Sequence, residues 1–445
     1  MSNTLKIDFS KTIGKMKPLH GVNNSPMAWE TEVPGFAEAG IPYCRLHDAA
    51  GPFGGSHYVD INNVFPNFDA DPSDPESYDF VFTDTYIKCI EAAGTEVFYR
   101  LGCTIENHHY IKAYNIMPPK DFSKWAEICA GIVRHYTQGW ANGFKSNIHY
   151  WEIWNEPENG SMWLGSREQF YELYRIAARR LKAEFPDIKV GGYASTGFYA
   201  INRPDASEQR KSLLVWFNDF LAYVSAPETK APLDFFSWHL YTDDPDEIAI
   251  HSNYVTETLR KYGFDNVENI FNEWNYVIKD RTPWVRWPRM KNHFGASFVA
   301  AAFALLQNSG VDKAMYYDAY PQRAYCGLYE FPSMLTTKTY DAFKAFNGLY
   351  KLGKQCQASC DEPRIKALAA SNGEQAAVML ANHNPEAFSL QLELTGNMTL
   401  TFCRIIDEAR HTEKIDFNGT SIELPPYSVA IISSEDIMGE AISKG

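Results

Sequence analysis

A chain of 445 residues that is 45 % hydrophobic and 22 % charged has ordinary globular composition and room for one large domain plus a smaller one. Its net charge of −14 argues against nucleic acid or an anionic membrane as partner, and no run of about 18 apolar residues marks a membrane span. Aromatics are in excess, at 15 % of residues with 26 Tyr, 28 Phe and 11 Trp; core packing claims most of them, and flat platforms for sugar rings are the functional reading of the remainder.

Met1 to Lys6 lacks the apolar core of a secretory signal. The eight cysteines form no paired framework, and no second pair or nearby histidines complete a zinc pattern around Cys356 and Cys360. Free thiols in a reducing cytoplasm are the expectation, with a secreted or periplasmic location if a leader has been removed.

Leu5-Lys6-Ile7-Asp8-Phe9 alternates like a strand with one buried face. Strand-like segments then alternate with helical ones for over 300 residues. The strands are expected at 19–24, 43–48, 97–102, 148–156, 189–195, 235–241, 269–274 and 313–319. Helices are expected near 29–39, 121–136, 211–224, 246–262, 292–308 and 338–350, and one begins at Ser166. Ser166 and Gln169 form a capping-box pattern ahead of an apolar stripe, Phe170, Leu173, Tyr174, Ala177 and Leu181, which Pro186 closes.

Eight strands alternating with helices predict an α/β fold, a (β/α)8 TIM barrel over 16–350. No Gly-x-Gly-x-x-Gly follows the first strand and no phosphate loop of the Walker type occurs, which disfavours an open doubly wound sheet. Past about 351 the texture changes to short alternating runs separated by turns such as Asn372-Gly373 and Asn418-Gly419. These predict a β-sandwich over 351–437 that takes up the N-terminal strand of residues 1–15, with a loose tail at 438–445.

The chemistry concentrates in Trp151-Glu152-Ile153-Trp154-Asn155-Glu156-Pro157-Glu158, where the fourth strand, ended by Pro157, opens into a loop. A carboxylate at Glu156, walled by Trp151, Trp154 and Trp163, would have its charged form disfavoured and its pKa raised, as a general acid requires. Glu152 alternates away from the mouth and is expected in a barrel-wall ion pair. In such barrels catalytic groups sit at the C-terminal strand ends. The seventh strand offers Asn272-Glu273-Trp274-Asn275, 117 positions after Glu156 and across the mouth from it. Two opposed carboxylates are the apparatus of glycoside hydrolysis.

These motifs resemble glycoside hydrolase family 39, the β-xylosidases and α-L-iduronidases of the retaining (β/α)8-barrel clan. Trp154-Asn155-Glu156-Pro157 is similar to the family's acid/base segment and Asn272-Glu273-Trp274-Asn275 to its nucleophile segment. Gly21-Val22-Asn23-Asn24, Arg45-Leu46-His47-Asp48 and the Leu424-Pro425-Pro426-Tyr427-Ser428-Val429 close support the likeness. The resemblance implies that Glu156 is the general acid/base and Glu273 the nucleophile. It further implies that Asn155 binds the substrate 2-hydroxyl, that Tyr241 orients Glu273 or holds its leaving oxygen, and that Arg45 keeps Glu273 ionised. His47, Asp48, His239, Trp274, Asp318 and the Glu106 of a polar third-strand tip complete the expected substrate contacts. The eighth strand reads Met315-Tyr316-Tyr317-Asp318, where related barrels usually carry a tryptophan.

Glu106, His108 and His109 are potential metal ligands, but adjacent histidines on a loop seldom converge. Neither metal nor organic cofactor is expected. The expected partner is an oligosaccharide or glycoside, and a homo-oligomer is compatible with the sequence. The implied activity is a retaining hydrolase that removes terminal glycosyl residues from oligosaccharides, β-xylosidase-like. Its alternatives are a transglycosylase using the same site and an inactive carbohydrate-binding protein. An α-L-iduronide substrate would need a cation, for which Arg281, Arg286, Arg289 and Lys291 are the candidates.

Overall fold

The computed structural model describes residues 3–26, 33, 35–47, 59–104 and 116–439. An N-terminal strand, β1 (Asn3–Lys15), precedes eight parallel strands that close into a barrel in sequence order. These are β2 (Gly21–Asn23), β3 (Tyr43–Leu46), β4 (Glu96–Leu101), β5 (Tyr150–Ile153), β6 (Lys189–Ser195), β7 (Phe235–Thr242), β8 (Glu268–Tyr276) and β9 (Lys313–Tyr316). All eight expected strands are present.

Most connecting helices follow the expected pattern because their ends are encoded locally. Ser166 Oγ accepts from Gln169 N at 3.2 Å while Gln169 Oε1 accepts from Ser166 N at 2.9 Å, closing the capping box of helix Arg167–Glu184. Helix Val81–Ala92 was not anticipated: Phe80, at its N-cap, offers no side-chain bond, so only the buried face of Tyr86, Ile87 and Ile90 marks it. Of the helix expected near 29–39, residues 29–32 and 34 lie outside the described residues, and 35–40 form a turn rather than a helix.

Inside the barrel, period-two alternation sorts side chains into layers. Phe98, Tyr150, Phe235, Ile270 and Met315 form an apolar plug, with Phe98 and Tyr150 stacked at 5.3 Å. Below it Glu268 accepts from Lys313 Nζ at 3.0 Å and Tyr150 Oη at 2.8 Å and pairs with Lys189. Two residues further along β5, β7 and β8, Glu152, Ser237 and Asn272 join Arg45 of β3 in a buried polar layer beneath the mouth.

The second unit is one curled nine-stranded sheet in the order β15-β14-β17-β12-β11-β10-β1-β13-β16. Its remaining strands are β10 (Lys354–Cys360), β11 (Ile365–Ser371), β12 (Ala376–Asn382), β13 (Phe388–Thr395), β14 (Phe402–Ile406), β15 (Glu413–Lys414), β16 (Ser421–Leu424) and β17 (Ser428–Ser433). Curling encloses a separate core of Leu5, Ile7, Val378, Leu380, Leu390 and Ile432, which gives the sandwich its two faces. As expected, β1 belongs here, antiparallel to β10 and parallel to β13.

Helix His293–Gln307 is apolar nearly all round because it lies between barrel and sheet. Its Ser297 Oγ lies 2.9 Å from His383 Nδ1 of the sheet unit. Helix Lys338–Leu352 runs past the expected boundary at 350 and stops at Gly353, whose φ of 81° ends it. Met438, expected in the tail, is buried, while 440–445 lie outside the described residues. No helix among the described residues is long and apolar enough to cross a membrane.

Ser166→Ala removes one half of the capping box and should lower unfolding free energy by about 1 kcal/mol, read from the urea midpoint. Ser166→Thr should recover most of the loss.

Candidate active site

The mouth of the barrel is organised by Arg45, whose side chain is fully buried. Its Nε donates to Glu152 Oε2 at 2.7 Å, and its Nη1 to Asn23 Oδ1 at 2.9 Å and Glu273 Oε2 at 3.2 Å. Its Nη2 donates to Asn155 Oδ1 at 2.8 Å. Glu152 is satisfied further by Ser237 Oγ and Asn272 Nδ2, both at 2.6 Å from Oε1. Two buried carboxylates therefore share one guanidinium, and the hydrogen bonds around them offset part of the desolvation cost.

Two local departures from regular strand geometry aim the two glutamates into this space. On β5 the strand stops at Ile153, earlier than expected, because Trp154 enters the left-handed region at φ 74°. Glu156 follows at φ 46°, its N donating to Ala194 O at 3.0 Å, while Trp154 N donates to Leu101 O at 2.7 Å. Each such non-glycine residue costs roughly 1–2 kcal/mol, which the surrounding contacts must hold.

On β8 the pairing with β7 slips by one residue after Phe271, so that His239 lies opposite Glu273. The pairing with β9 slips at the same place. This bulge lets the consecutive residues Asn272 and Glu273 both face the lumen, which strict alternation forbids. Trp274 is turned outward by the same geometry.

Glu273 Oε1 accepts from Tyr241 Oη at 2.5 Å. His239 stands between the carboxyls, with Nδ1 2.8 Å from Glu156 Oε1 and Nε2 3.5 Å from Glu273 Oε2. His47 Nε2 lies 3.8 Å from Glu273 Oε2. One oxygen of Glu156, one of Glu273 and a ring nitrogen of His239 lie within 4.8 Å of one another.

Two full negative charges at that separation repel by about 3 kcal/mol at an effective dielectric constant of about 20, so the pair resists double ionisation. Burial pushes Glu156 up to about 7, against weaker pulls from Asn159 and Arg45. Burial also raises Glu273, with the Glu156 charge adding to it, while His239, Arg45 and the Tyr241 hydroxyl oppose the rise. Burial drives His239 down to about 4, so the imidazole is neutral at neutral pH.

The structure brings Asn155, Glu156, His239, Tyr241, Arg45, His47 and Glu273 together. It corrects three expectations. Trp274 is packed against Phe271, Phe303 and Tyr316 in the helix layer and is 1 % exposed, so it is a core residue rather than a substrate contact. Asp318 is buried behind Asn24 and Gln322, both donating to its Oδ2 at 3.2 Å, and is no surface of the cleft. Trp151 does not wall Glu156: it stacks on Tyr99 at 5.1 Å outside the lumen, as its alternation with inward Glu152 requires.

Trp154 and Trp163 meet edge to face at 5.2 Å, and Trp154 lies 5.9 Å from Trp125 of helix Phe122–Gln138. Asp48 and Glu106, with His108 and His109, lie outside the described residues.

Two features escaped the sequence reading. Tyr241, Tyr317 and Tyr325 form an aromatic cluster beside Glu273, with Tyr325 5.8 Å from Tyr241 and 5.6 Å from Tyr317. Their positions on three separate segments left no periodic signal. Glu158 Oε1 accepts from Ser195 Oγ at 2.7 Å and Thr196 N at 2.8 Å, and burial raises it to about 8. Its two-residue spacing from Glu156 was the available clue.

The model of glycosyl hydrolases family 39 matches residues 40–308. A β-xylosidase of Geobacillus stearothermophilus is 30 % identical over 131 residues, 29 % of this chain and only 22 % of that relative's length. A β-xylosidase of Caldicellulosiruptor saccharolyticus is 22 % identical over 381 residues, 78 % of this chain and 70 % of the relative. The crystal structure of a glucosidase from Croceicoccus marinus superposes with a TM-score of 0.75 at 22 % identity, covering 97 % of this chain and 98 % of that one. At that identity the likeness speaks for the fold alone.

Arg45→Met would strand Glu152 as a buried, uncompensated charge and should cost about 3–5 kcal/mol of stability in denaturant unfolding. The double variant Arg45→Met with Glu152→Met should recover most of that loss, because the charge and its counter-charge leave together.

Proposed function

The chain belongs to the glycosyl hydrolases family 39, and from that membership we propose a retaining β-glycosidase that removes terminal xylosyl residues from oligosaccharides through Glu156 and Glu273. The observation that supports the mechanism is that one oxygen of Glu156 and one of Glu273 lie within 4.8 Å of each other. Retaining enzymes hold their carboxyl pair about 5–5.5 Å apart, whereas inverting ones leave about 6.5–9.5 Å for a water.

Glu273 is the nucleophile. One of its carboxylate oxygens attacks the anomeric carbon while the bond from that carbon to the leaving oxygen breaks. Glu156 gives its proton to the leaving oxygen in the same step, and a glycosyl ester of Glu273 results. Glu156, now a carboxylate, takes a proton from water; the water oxygen attacks the anomeric carbon, the ester bond breaks and Glu273 is regenerated.

The surroundings support this division of labour. A neutral His239 adds no positive charge that would strip the proton from Glu156. Arg45 and the Tyr241 hydroxyl favour the ionised form of Glu273. With its carbonyl taken by Arg45, Asn155 has its amide nitrogen left to donate to a sugar hydroxyl. The xylosyl specificity rests on the names of two of the curated relatives, both β-xylosidases.

A second reading has one observation behind it: Glu156, His239 and Glu273 are spaced to hold a metal ion. The Arg45 guanidinium, 3.2 Å from Glu273, already supplies the positive charge there and opposes a second cation.

Glu273→Gln should abolish turnover of aryl β-xylosides by on the order of 10⁵-fold. Glu156→Gln should cost about 10²–10⁴-fold on poor leaving groups and much less on activated aryl ones, since a good leaving group needs no proton. Proton NMR of the first product should show the β anomer. An α product would exclude double displacement, and loss of activity in EDTA would favour the metal reading.

The pH dependence has a definite sign. Glu156 must be protonated, so kcat/KM should fall as pH rises through about 7. Glu273 must be ionised and is raised, so the acid limb should lie above the ordinary glutamate range. Glu156→Gln should remove the alkaline limb. A wild-type profile that stays flat from pH 6 to 9 would contradict the assignment of Glu156.

A further inference from the structure

The turn that carries Glu156 is tied to a neighbouring strand by a carboxyl outside the reaction described above. Asn159 N donates to Glu156 O at 2.9 Å, which closes a β-turn with Pro157 and Glu158 at its centre. Pro157 suits the first central position because its ring presets φ. Glu158 occupies the second, and its Oε1 accepts from Ser195 Oγ at 2.7 Å and Thr196 N at 2.8 Å, at the tip of β6. A backbone bond runs beside these, from Glu156 N to Ala194 O at 3.0 Å. Side chain and backbone together therefore join residues 156–158 to residues 194–196.

The β6 side of this junction is itself anchored. Ala194 N donates to Ser237 Oγ at 2.9 Å, and Ser237 Oγ donates to Glu152 Oε1 at 2.6 Å in the polar layer. Ser195 is fully buried. The Glu156 side has less to hold it. Glu156 sits at φ 46°, a region that costs a non-glycine residue energy and persists only where the surroundings impose it. Its carboxyl meets Asn159 Nδ2 of its own turn at 3.3 Å and His239 Nδ1 across the lumen at 2.8 Å. The bonds from Glu158 are what fasten the far end of the turn to a fixed strand tip.

We propose that Glu158 is the positioning residue of Glu156: its carboxyl pins the turn to the tip of β6, and the pin sets where the Glu156 proton is presented. The proposal rests on the reading of Glu156 as general acid/base. Glu158 acts through Glu156 and not on the sugar, because its Oε1 is engaged by β6 and its Oε2 is buried. The pin needs an acceptor rather than a charge, and the side-chain carbonyl of glutamine could take the same two donors. A proton passes only within hydrogen-bond reach, and a displacement of about 1 Å can cost on the order of 100-fold in rate.

The test follows kcat/KM on methyl β-xyloside, a poor leaving group, and on dinitrophenyl β-xyloside, a good one. Glu158→Ala should lose about 30-fold on the methyl glycoside and less than about threefold on the activated one. Glu158→Gln should recover most of the loss, and Ser195→Ala, which removes one of the two donors, should lie between. In a Glu156→Ala background Glu158→Ala should add nothing, because the group it positions is gone. The crystal structure of Glu158→Ala should show the turn released from β6 and the Glu156 carboxyl displaced from His239.

Equal losses on the two substrates would make Glu158 a stabiliser of the fold alone and overturn the proposal. So would a loss in Glu158→Gln as large as in Glu158→Ala, since the charge rather than the acceptor would then matter. If Glu158→Ala does not fold, Ser195→Ala carries the same comparison at smaller amplitude. If Glu156→Ala itself shows no preference for the good leaving group, the catalytic reading fails and takes the proposal with it. A Glu156 that stays in place in the Glu158→Ala crystal defeats the pin alone and leaves the catalytic reading standing.

Discussion

The guanidinium of Arg45 is the interaction on which the mouth of this barrel depends. It contacts side chains from β2, the tip of β5, and β8, and it is fully buried. Without it, Glu152 and Glu273 would be negative charges in a low-dielectric interior, and Asn155 and Asn23 would each lose the donor to their side-chain carbonyls. Removing either charge alone is far costlier than the net worth of the pair, which is why such a cluster persists only when every member is satisfied. The polar layer therefore couples stability to function: the contacts that hold Glu152 inside the fold also hold Glu273 in reach of a sugar.

Above that layer the two catalytic candidates differ in what surrounds them rather than in what they are. Both are buried glutamates raised by desolvation. Glu273 has a cation and a phenolic hydroxyl turned towards it, both favouring the anion. Glu156 has a neutral imidazole at 2.8 Å and an amide at 3.3 Å, with Arg45 only a distant pull. One carboxyl is thereby biased to keep its proton and the other to lose it, which is the condition for dividing acid and nucleophile between two identical side chains.

Much of this was legible along the chain. The capping box at Ser166 and the strand-stop at Pro157 are local signals, and each acts within a few residues of itself. The placing of Glu156 and Glu273 at two strand ends followed from period and spacing, because a parallel barrel puts every strand's C-terminus on one face. Part of what escaped broke the period. Trp274 looked like a partner of Glu273 because it is adjacent, yet the bulge at Asn272 turns Glu273 inward and leaves Trp274 among Phe271, Phe303 and Tyr316. Trp151 looked like a wall for Glu156, but alternation sends it outward whenever Glu152 points in. Helix Val81–Ala92 escaped because no cap announces it.

The amino-acid sequence by itself determined the barrel, the sheet that recruits the first strand, and the two carboxylates, since hydrophobic period, capping and turn chemistry are properties of neighbouring residues. Only the tertiary structure decided which nitrogen faces which oxygen. The sharing of Arg45 between Glu152 and Glu273, the wedge of His239 between the two glutamates, and the tyrosine cluster join side chains tens to hundreds of positions apart. Their distances follow from barrel closure, a one-residue bulge and two left-handed residues, and a slip of one residue in any of these reverses a side chain while leaving the sequence pattern almost unchanged.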